Sequence, residues 1–373
     1  MKIILLVSSM GTGGAERVAA TLVNAWAERG DEVTLVPTYS EYCPVFYTLC
    51  ERVRLVYLAR LVGRSGRGPL QYISRVIALR RLISNTAPDV LISFMPNVSI
   101  MTIVASRGLG IPVIACEHNN PSVDGRSWLW AFLCRIFYRE ARLVTVLTES
   151  VVAPFRKMVP GVKCIEVMPN PLPNELFEGE FIRQETGGRK KVLAVGRLTA
   201  QKQFDVLIDA FASVAKERDD VDLWIWGEGS DRASLQAQIA QLRMGNRIFL
   251  PGTTEALWSE LARARAFALS SRFEGLPMAL MESLALGVPC VAFDCPSGPR
   301  ELVRDGRDGL LVPAGDRAAL TDALRRLVSD DVLCQEMGRR AANSMRERYG
   351  LEAILPRWDR LFDHVGVGTV SRS

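Results

Sequence analysis

The 373-residue sequence is poor in the residues from which metal centres are built. It contains two histidines, His118 and His364, and none of its eight cysteines forms a C-x-x-C pair. Such a set does not supply the closely spaced ligands of a zinc site. Because most of the cysteines lie inside apolar runs, we expect them to be reduced core residues of a cytosolic protein.

Long apolar runs are also missing, so the sequence predicts no membrane span. The opening run Ile3–Val7 covers five residues and leads directly into Gly11, Gly13 and Gly14. A secretory signal peptide has a longer apolar core and a small-residue cleavage site. The opening therefore predicts a buried first strand that enters a glycine-rich turn.

Acidic residues are under-represented in the first half of the chain. Residues 1–175 hold 19 Lys and Arg against 13 Asp and Glu, whereas residues 176–373 hold 27 against 28. The net charge of +5 therefore originates in the first half. Such an excess suits an anionic membrane surface or a pyrophosphate-linked ligand, and solubility explains it equally well.

What the sequence does contain is a globular composition, with 48% apolar and 23% charged residues, on a chain long enough for two domains. Short apolar runs alternate with helical stretches such as Gly14–Arg29 and Phe204–Glu217, which is typical of parallel sheets with helices on both faces. The predicted strands are Ile3–Val7, Glu32–Val36, Val90–Phe94, Val113–Cys116 and Val144–Leu147, then Lys191–Val195, Leu223–Trp226, Ile248–Leu250, Ala266–Ser270 and Val288–Phe293.

Prolines and glycines are dense between residues 169 and 188, which predicts a linker. We expect an N-terminal domain over residues 1–172, a linker over 173–187 and a C-terminal domain over 188–350. The fold class expected is α/β, with two Rossmann-like doubly wound domains facing a cleft. Ligands of such sheets bind at the carboxyl ends of the strands, at the switch points.

The most informative segment runs from Glu274 to Glu282 and follows the predicted strand Ala266–Ser270. Pro277 suits the first turn of a helix, where a missing N–H costs nothing. The backbone amides of Gly275, Leu276 and Met278 then form an anion site at the helix start. Each glutamate can accept two hydroxyl donors, as sugars and riboses present them. The alternative is an ordinary surface helix with two glutamates.

A second segment, residues 195–202, ends the first strand of the second domain. Gly196 allows close approach of a ligand, and Arg197 and Lys202 supply two cations. Arginine grips phosphate bidentately and lysine acts as a mobile point charge. A solvated basic turn is the alternative.

The glycine-rich segment 11–17 follows the first predicted strand, but it is a poor dinucleotide fingerprint. Glu16 occupies the place of the third small residue, and the next strand ends without an acidic residue for a ribose. The segment therefore argues against an NAD-dependent enzyme. Glu16 and Arg17 are equally explained as local capping residues or as binding residues.

Two further strand ends carry polar or glycine residues. His118 and Asn119 follow the strand Val113–Cys116, where a parallel sheet presents its ligands. Gly227 and Gly229 flank Glu228 at the end of Leu223–Trp226. Asp220-Val221-Asp222 matches the spacing of a metal-binding Asp-x-Asp motif, but it comes before that strand rather than after one. We therefore interpret it as a turn rather than a metal site.

Together these segments resemble glycosyltransferase family 4, whose members are retaining enzymes of the two-Rossmann-domain GT-B fold. The resemblance implies that Glu274 contacts the donor sugar, that Glu282 binds the ribose, and that His118 lies near the transferred sugar. Gly196, Arg197 and Lys202 match the motif that contacts the donor pyrophosphate, with the helix start from Gly275 through Leu276 and Pro277 to Met278 beside it.

The same resemblance assigns Gly13 and Gly14 to the donor phosphates, Gly227 to the nucleotide base, and Glu16, Arg17 and Asn119 to the acceptor. It also implies that a last helix, about 351–366, returns to the first domain. Neither a metal nor a cofactor is expected, and nucleic acid is not an expected partner.

The function implied is transfer of a sugar, with UDP-sugars favoured as donors, onto an undecaprenyl-pyrophosphate-linked or polysaccharide acceptor of bacterial O-antigen or exopolysaccharide synthesis. Basic amphipathic stretches at 60–83 and 128–139 are typical of helices that lie in a membrane interface, and equally of domain-core helices with a basic outer face. The protein is expected to be cytoplasmic, and the first interpretation makes it peripheral on the inner membrane. The alternatives are a GT-B nucleotide-sugar epimerase and a non-catalytic nucleotide-sugar binding protein.

Overall fold

The computed structural model describes residues 1–40, 45–62, 68–121, 123, 125–178 and 188–368. Within them the chain forms thirteen β-strands and fourteen α-helices, numbered β1–β13 and α1–α14 along the sequence. The chain divides into two compact units, Met1–Pro171 with Leu351–Ser373 and Leu172–Gly350. Residues 173–178 of the expected linker belong to the second unit, and residues 179–187 lie outside the described residues.

The first unit is built on a seven-stranded parallel sheet with the order β3-β2-β1-β4-β5-β6-β7. Its strands are β1 (Lys2–Val7), β2 (Glu32–Pro37), β3 (Arg54–Leu55), β4 (Val90–Phe94), β5 (Val113–Cys116), β6 (Leu143–Val146) and β7 (Ile165–Val167). Every residue of β4, β5 and β6 is buried. Helices on both faces explain why these strands are apolar runs rather than alternating patterns.

The helices of the first unit are α1 (Gly14–Glu28), α2 (Leu58–Val62), α3 (Pro69–Thr86), α4 (Pro96–Ser106), α5 (Trp128–Phe137), α6 (Glu149–Met158) and α14 (Leu351–His364). Trp358 of α14 packs edge-on against Trp26 of α1, with ring centroids 5.4 Å apart. Arg29 Nη2 lies 2.7 Å from Asp359 Oδ1, so an ion pair reinforces the same packing. The last helix is therefore part of the first unit.

The second unit contains a six-stranded parallel sheet with the order β10-β9-β8-β11-β12-β13. Its strands are β8 (Lys190–Val195), β9 (Val221–Trp226), β10 (Ile248–Gly252), β11 (Ala266–Leu269), β12 (Cys290–Asp294) and β13 (Leu310–Pro313). Its helices are α7 (Phe204–Glu217), α8 (Arg232–Gln241), α9 (Leu257–Ala262), α10 (Met278–Ala285), α11 (Pro299–Leu302), α12 (Arg317–Ser329) and α13 (Asp331–Tyr349), preceded by a single 3₁₀ turn, Asn174–Leu176.

The predicted α/β class with two parallel, doubly wound sheets is confirmed. The chain order reverses between β1 and β4 in the first sheet and between β8 and β11 in the second. These two positions are the switch points at which open parallel sheets bind their ligands. No helix in the described part of the chain combines the length and hydropathy needed to cross a bilayer.

Two local predictions were wrong. Val221 and Asp222 lie within β9 rather than in a turn before it, because Arg189 Nε at 2.8 Å and Arg247 Nε at 3.1 Å neutralise the Asp222 carboxylate. Pro277 was expected in the first turn of a helix, but α10 begins at Met278 and Pro277 is the residue before it.

Candidate active site

The second unit brings two sequence motifs together at its switch point. β8 and β11 are hydrogen-bonded neighbours, and the loops that leave their carboxyl ends carry Lys202 and Glu274. Lys202 Nζ lies 2.6 Å from Glu274 Oε1, and the two side chains are 16% and 8% exposed. The Lys202–Glu274 pair is thus a largely desolvated ion pair at the place where this fold binds ligands.

Hydrogen bonds to the backbone tie the two loops to each other. Ser270 Oγ donates to the carbonyl oxygen of Lys202 at 2.7 Å, and Gln201 Nε2 donates to that of Phe273 at 3.0 Å. The amide of Arg272 donates in turn to the carbonyl oxygen of Gln201 at 2.8 Å. Neither Ser270 nor Gln201 was expected to support the site, although Ser270 ends the predicted strand before Glu274 and Gln201 lies inside the segment 195–202.

A third loop, which follows β12, supports the Glu274 segment from the other side. Ser297 Oγ donates to the carbonyl oxygen of Glu274 at 2.6 Å, and Ser297 itself has a φ of +69°. Gly298 has a φ of +94°, and a Cβ there would lie 2.7 Å from the carbonyl oxygen of Gly275. This position needs glycine both for its backbone conformation and for space.

Close backbone packing also joins the loops after β8 and β9. Gly227 has a φ of +142°, and a Cβ on it would lie 1.9 Å from the carbonyl oxygen of Gly196. The amide of Gly196 donates to the carbonyl oxygen of Trp226 at 3.0 Å. The Gly196 turn is therefore clamped against β9, and the exposed Arg197 follows it directly.

Glu282 lies on α10 and is 1% exposed, on a helix whose other buried residues are almost all apolar. Leu276, Pro277 and Met278 are buried where the chain enters this helix. Because α10 begins at the switch point, its first amides and dipole favour an anion beside Lys202.

In the first unit, His118 follows β5 and lies against Phe94 at the end of β4, with ring centroids 4.2 Å apart. His118 Nε2 is buried, and it has no hydrogen-bond partner within the described residues. Burial lowers the pKa of His118 to about 4, so the imidazole is neutral at neutral pH. A neutral imidazole can donate one hydrogen bond and accept one, but it is not the protonated imidazolium that would act as a general acid.

A buried polar network next to His118 was not foreseen from the sequence. Glu117 is 1% exposed, and its carboxylate accepts hydrogen bonds from Arg126 Nη2 at 2.8 Å and from the hydroxyl of Tyr138. Burial raises the pKa of Tyr138, so its hydroxyl remains a donor. The network fixes the chain at the end of β5 and so holds the neighbouring imidazole.

The glycine-rich loop after β1 makes local contacts. Glu16 Oε1 accepts a hydrogen bond from Ser9 Oγ at 2.9 Å. The guanidinium carbon of Arg17 lies 4.6 Å from the ring centroid of Tyr47, whose hydroxyl donates to the carbonyl oxygen of Thr12 at 2.9 Å. Asn119 is exposed. Acceptor binding by Glu16, Arg17 and Asn119 stays a prediction.

Carboxylates elsewhere are held by arginines rather than grouped for a metal. Asp220 is paired with Arg218 at 2.7 Å, which lowers the pKa of Asp220 to about 2. Across the described ranges, no three or more histidine, cysteine, aspartate or glutamate side chains form a metal-binding cluster.

Comparison with known proteins covers nearly the whole chain. Residues 12–175 match the family model Glycosyltransferase Family 4, and residues 178–344 match Glycosyl transferases group 1. The chain is 27% identical over 372 residues to the amylovoran biosynthesis glycosyltransferase AmsD of Erwinia amylovora, an alignment that covers 97% of this chain and 99% of AmsD.

A Campylobacter jejuni relative is named GalNAc-alpha-(1->4)-GalNAc-alpha-(1->3)-diNAcBac-PP-undecaprenol alpha-1,4-N-acetyl-D-galactosaminyltransferase. It is 28% identical over 368 residues, covering 98% of this chain and 99% of the relative. A Staphylococcus aureus TarM mutant, crystallised with fondaparinux, alpha-GlcNAc-glycerol and UDP, superposes with a TM-score of 0.81 at 16% identity, over 97% of this chain and all of TarM. With its two parallel sheets and matching family models, the chain belongs to glycosyltransferase family 4 and has the GT-B fold.

Proposed function

We propose that this glycosyltransferase moves a hexosyl or N-acetylhexosaminyl residue from a UDP-sugar, with retention of configuration, onto an undecaprenyl-pyrophosphate-linked or polysaccharide acceptor of a bacterial cell-surface glycan. The observation that carries the proposal is the Lys202–Glu274 pair at the β8/β11 switch point, 2.6 Å long and largely desolvated. The relatives support the donor and acceptor classes: UDP is bound in the TarM structure, and the Campylobacter enzyme is named for an undecaprenol-linked glycan.

Departure of the sugar leaves negative charge on the diphosphate, and catalysis must stabilise that charge. Lys202 has three N–H donors, of which one is directed at Glu274, so the others remain for a phosphate. Arg197 is exposed at the same edge and can grip a phosphate bidentately. The start of α10 adds its amides and dipole, so the site can neutralise a diphosphate with protein groups.

The carboxylates then position the two sugars of the donor. Glu274 accepts hydrogen bonds from hydroxyls of the transferred sugar, and Glu282 accepts them from the ribose. In the first unit, the neutral imidazole of His118 can donate a hydrogen bond to a sugar hydroxyl or accept one from it. Retention follows when the acceptor attacks from the side of the departing phosphate, which takes the acceptor proton.

The direct test is incubation with a panel of nucleotide sugars and a synthetic undecaprenyl-pyrophosphate-linked saccharide, with the anomeric configuration of the product read by NMR. We expect a UDP-sugar to be consumed and an α-linked product to form from an α-linked donor. Binding of nucleotide sugars without hydrolysis or transfer would instead identify a binding protein, and a β-linked product would contradict retention.

A further inference from the structure

Two helices of the first unit expose large apolar side chains. On α3 the outermost is Leu70, at 80% exposure, and on α5 it is Trp128, at 79%. The exposed apolar residues of these helices include Leu70, Ile73, Ile77, Trp128, Phe132 and Ile136, here named the α3/α5 surface. Isolated exposed apolar residues are ordinary, whereas aligned stripes on neighbouring helices indicate an interaction surface.

The spacing within each helix shows that the stripes are continuous. Leu70, Ile73 and Ile77 are three and four residues apart, and Trp128, Phe132 and Ile136 are four apart, so each set lies along one side of its helix. Both α3 and α5 pack against the buried helix α4 and contribute to the same core cluster. The two stripes therefore belong to one helical layer of the first unit.

The charged side chains on α3 and α5 are all positive. The sequences of α3 and α5 contain no Asp or Glu, and Arg81 and Arg135 are exposed on them. The next acidic residue after α5, Glu140, is paired with Arg107, whose Nε lies 2.7 Å from Glu140 Oε2. Within the described residues of α3 and α5, the apolar stripes are accompanied by arginines and by no carboxylate, which matches a ligand that has both an apolar interior and negative charge.

We infer that the α3/α5 surface docks on an anionic lipid bilayer. A second copy of the chain, related by a two-fold axis, would place the arginines of one stripe against those of the other. A bilayer with anionic headgroups buries the apolar side chains at the level of the acyl boundary and attracts the arginines. The inference goes beyond the proposed function, because it concerns a surface separate from the donor-binding residues. Arg64 and Arg67 of the basic stretch expected at 60–83 lie outside the described residues.

The test is co-sedimentation of the full chain with phosphatidylcholine vesicles that contain or lack phosphatidylglycerol. We expect binding to the anionic vesicles, weakened by salt because exposed charges are screened. The double substitution Trp128→Ser with Phe132→Ser removes two exposed rings and should reduce the partition coefficient roughly tenfold or more. Val332→Ser, which changes a 68% exposed apolar residue on α13, is the matched control and should bind as the wild type does.

The contribution of the arginines to vesicle binding is tested with a second variant and its own control. Arg81→Gln with Arg135→Gln should weaken binding to anionic vesicles roughly 30-fold, since each of the two arginines near such a surface contributes about 1 kcal/mol. Arg340→Gln, on α13 of the second unit, should have no effect. Circular dichroism and UDP titration of every variant separate vesicle binding from folding and from the donor site.

Failure to bind anionic vesicles at low salt would overturn the inference. Equal binding by the Trp128/Phe132 variant and the Val332 control would also overturn it. A wild-type dimer in sedimentation velocity that the Trp128/Phe132 variant abolishes would assign the surface to a second copy instead.

Discussion

Lys202 Nζ and Glu274 Oε1 lie 2.6 Å apart at the carboxyl ends of two adjacent strands of the second sheet. Seventy-two positions separate the two residues in the sequence. The pair holds a cation and a carboxylate in the two loops before α10, where the proposed function puts the diphosphate and the sugar of the donor.

Substitution of Lys202 should destabilise the fold, because the buried carboxylate of Glu274 then lacks a counter-ion. Lys202→Met leaves Glu274 without its cation, and we expect the free energy of unfolding to fall by about 2–3 kcal/mol. The combined Lys202→Met and Glu274→Gln variant should lose less than the sum of the single losses. Denaturant titration measures this coupling, and Arg340→Met, which breaks an exposed pair with Glu336, should cost less than about 1 kcal/mol. Additive losses at Lys202 and Glu274 would contradict a coupled pair.

Glu282 is predicted to bind the ribose of the donor. Glu282→Ala should remove a charged hydrogen bond, which contributes about 1.5–3 kcal/mol, so affinity for UDP falls roughly 10–150-fold. Isothermal titration calorimetry with UDP provides the measurement, and Glu336→Ala on the exposed face of α13 is the control. UDP affinity that is unchanged in Glu282→Ala would remove this residue from the site.

Gly298 is predicted to shape the Glu274–Pro277 turn by close contact. Gly298→Ala combines a left-handed backbone with a Cβ 2.7 Å from the carbonyl oxygen of Gly275, so unfolding should become easier by about 2 kcal/mol or more. Gly306 also has a positive φ, +71°, but nothing lies near the position of its Cβ. Gly306→Ala therefore measures the backbone strain alone, which we expect to cost about 1 kcal/mol. UDP affinity should fall in the Gly298 variant and stay constant in the Gly306 variant. Equal losses of stability and of UDP affinity in the two variants would contradict a specific role for the contact between Gly298 and Gly275.

The neutral state of His118 makes stability depend on pH. Its pKa is about 4 in the folded chain against about 6.5 in the unfolded chain, so between these values the unfolded chain binds more protons. Stability should therefore fall as pH decreases from about 6.5 to about 4, by roughly 3 kcal/mol relative to His118→Gln. Urea titrations of both proteins across this range measure the difference. Parallel curves would show that the imidazole titrates normally.

The sequence predicted the strands well where burial on both faces made them continuous apolar runs, as in Val90–Phe94 and Val113–Cys116. It did not predict β3, β7 and β13, which have two, three and four residues, or the place of Asp222 within β9. A buried aspartate inside a strand depends on Arg189 and Arg247, and these partners are 33 and 25 residues away.

Contacts between residues that are distant in the sequence were also not predicted at the candidate site. Glu274, Glu282, Gly196 and Lys202 could be proposed from the sequence because each motif is local and follows a strand. The supporting contact of Ser270 with the Lys202 backbone joins loops that only the sheet order brings together. The hydrogen bond of Ser297 to the backbone of Glu274 likewise requires the third loop to fold over the second.

The most decisive measurement is a crystal structure of the protein with UDP bound. The diphosphate should lie between Lys202, Arg197 and the start of α10, with the ribose hydroxyls directed at Glu282. A diphosphate bound away from the β8/β11 switch point, for example at the glycine loop of residues 11–14 alone, would contradict the proposed donor site.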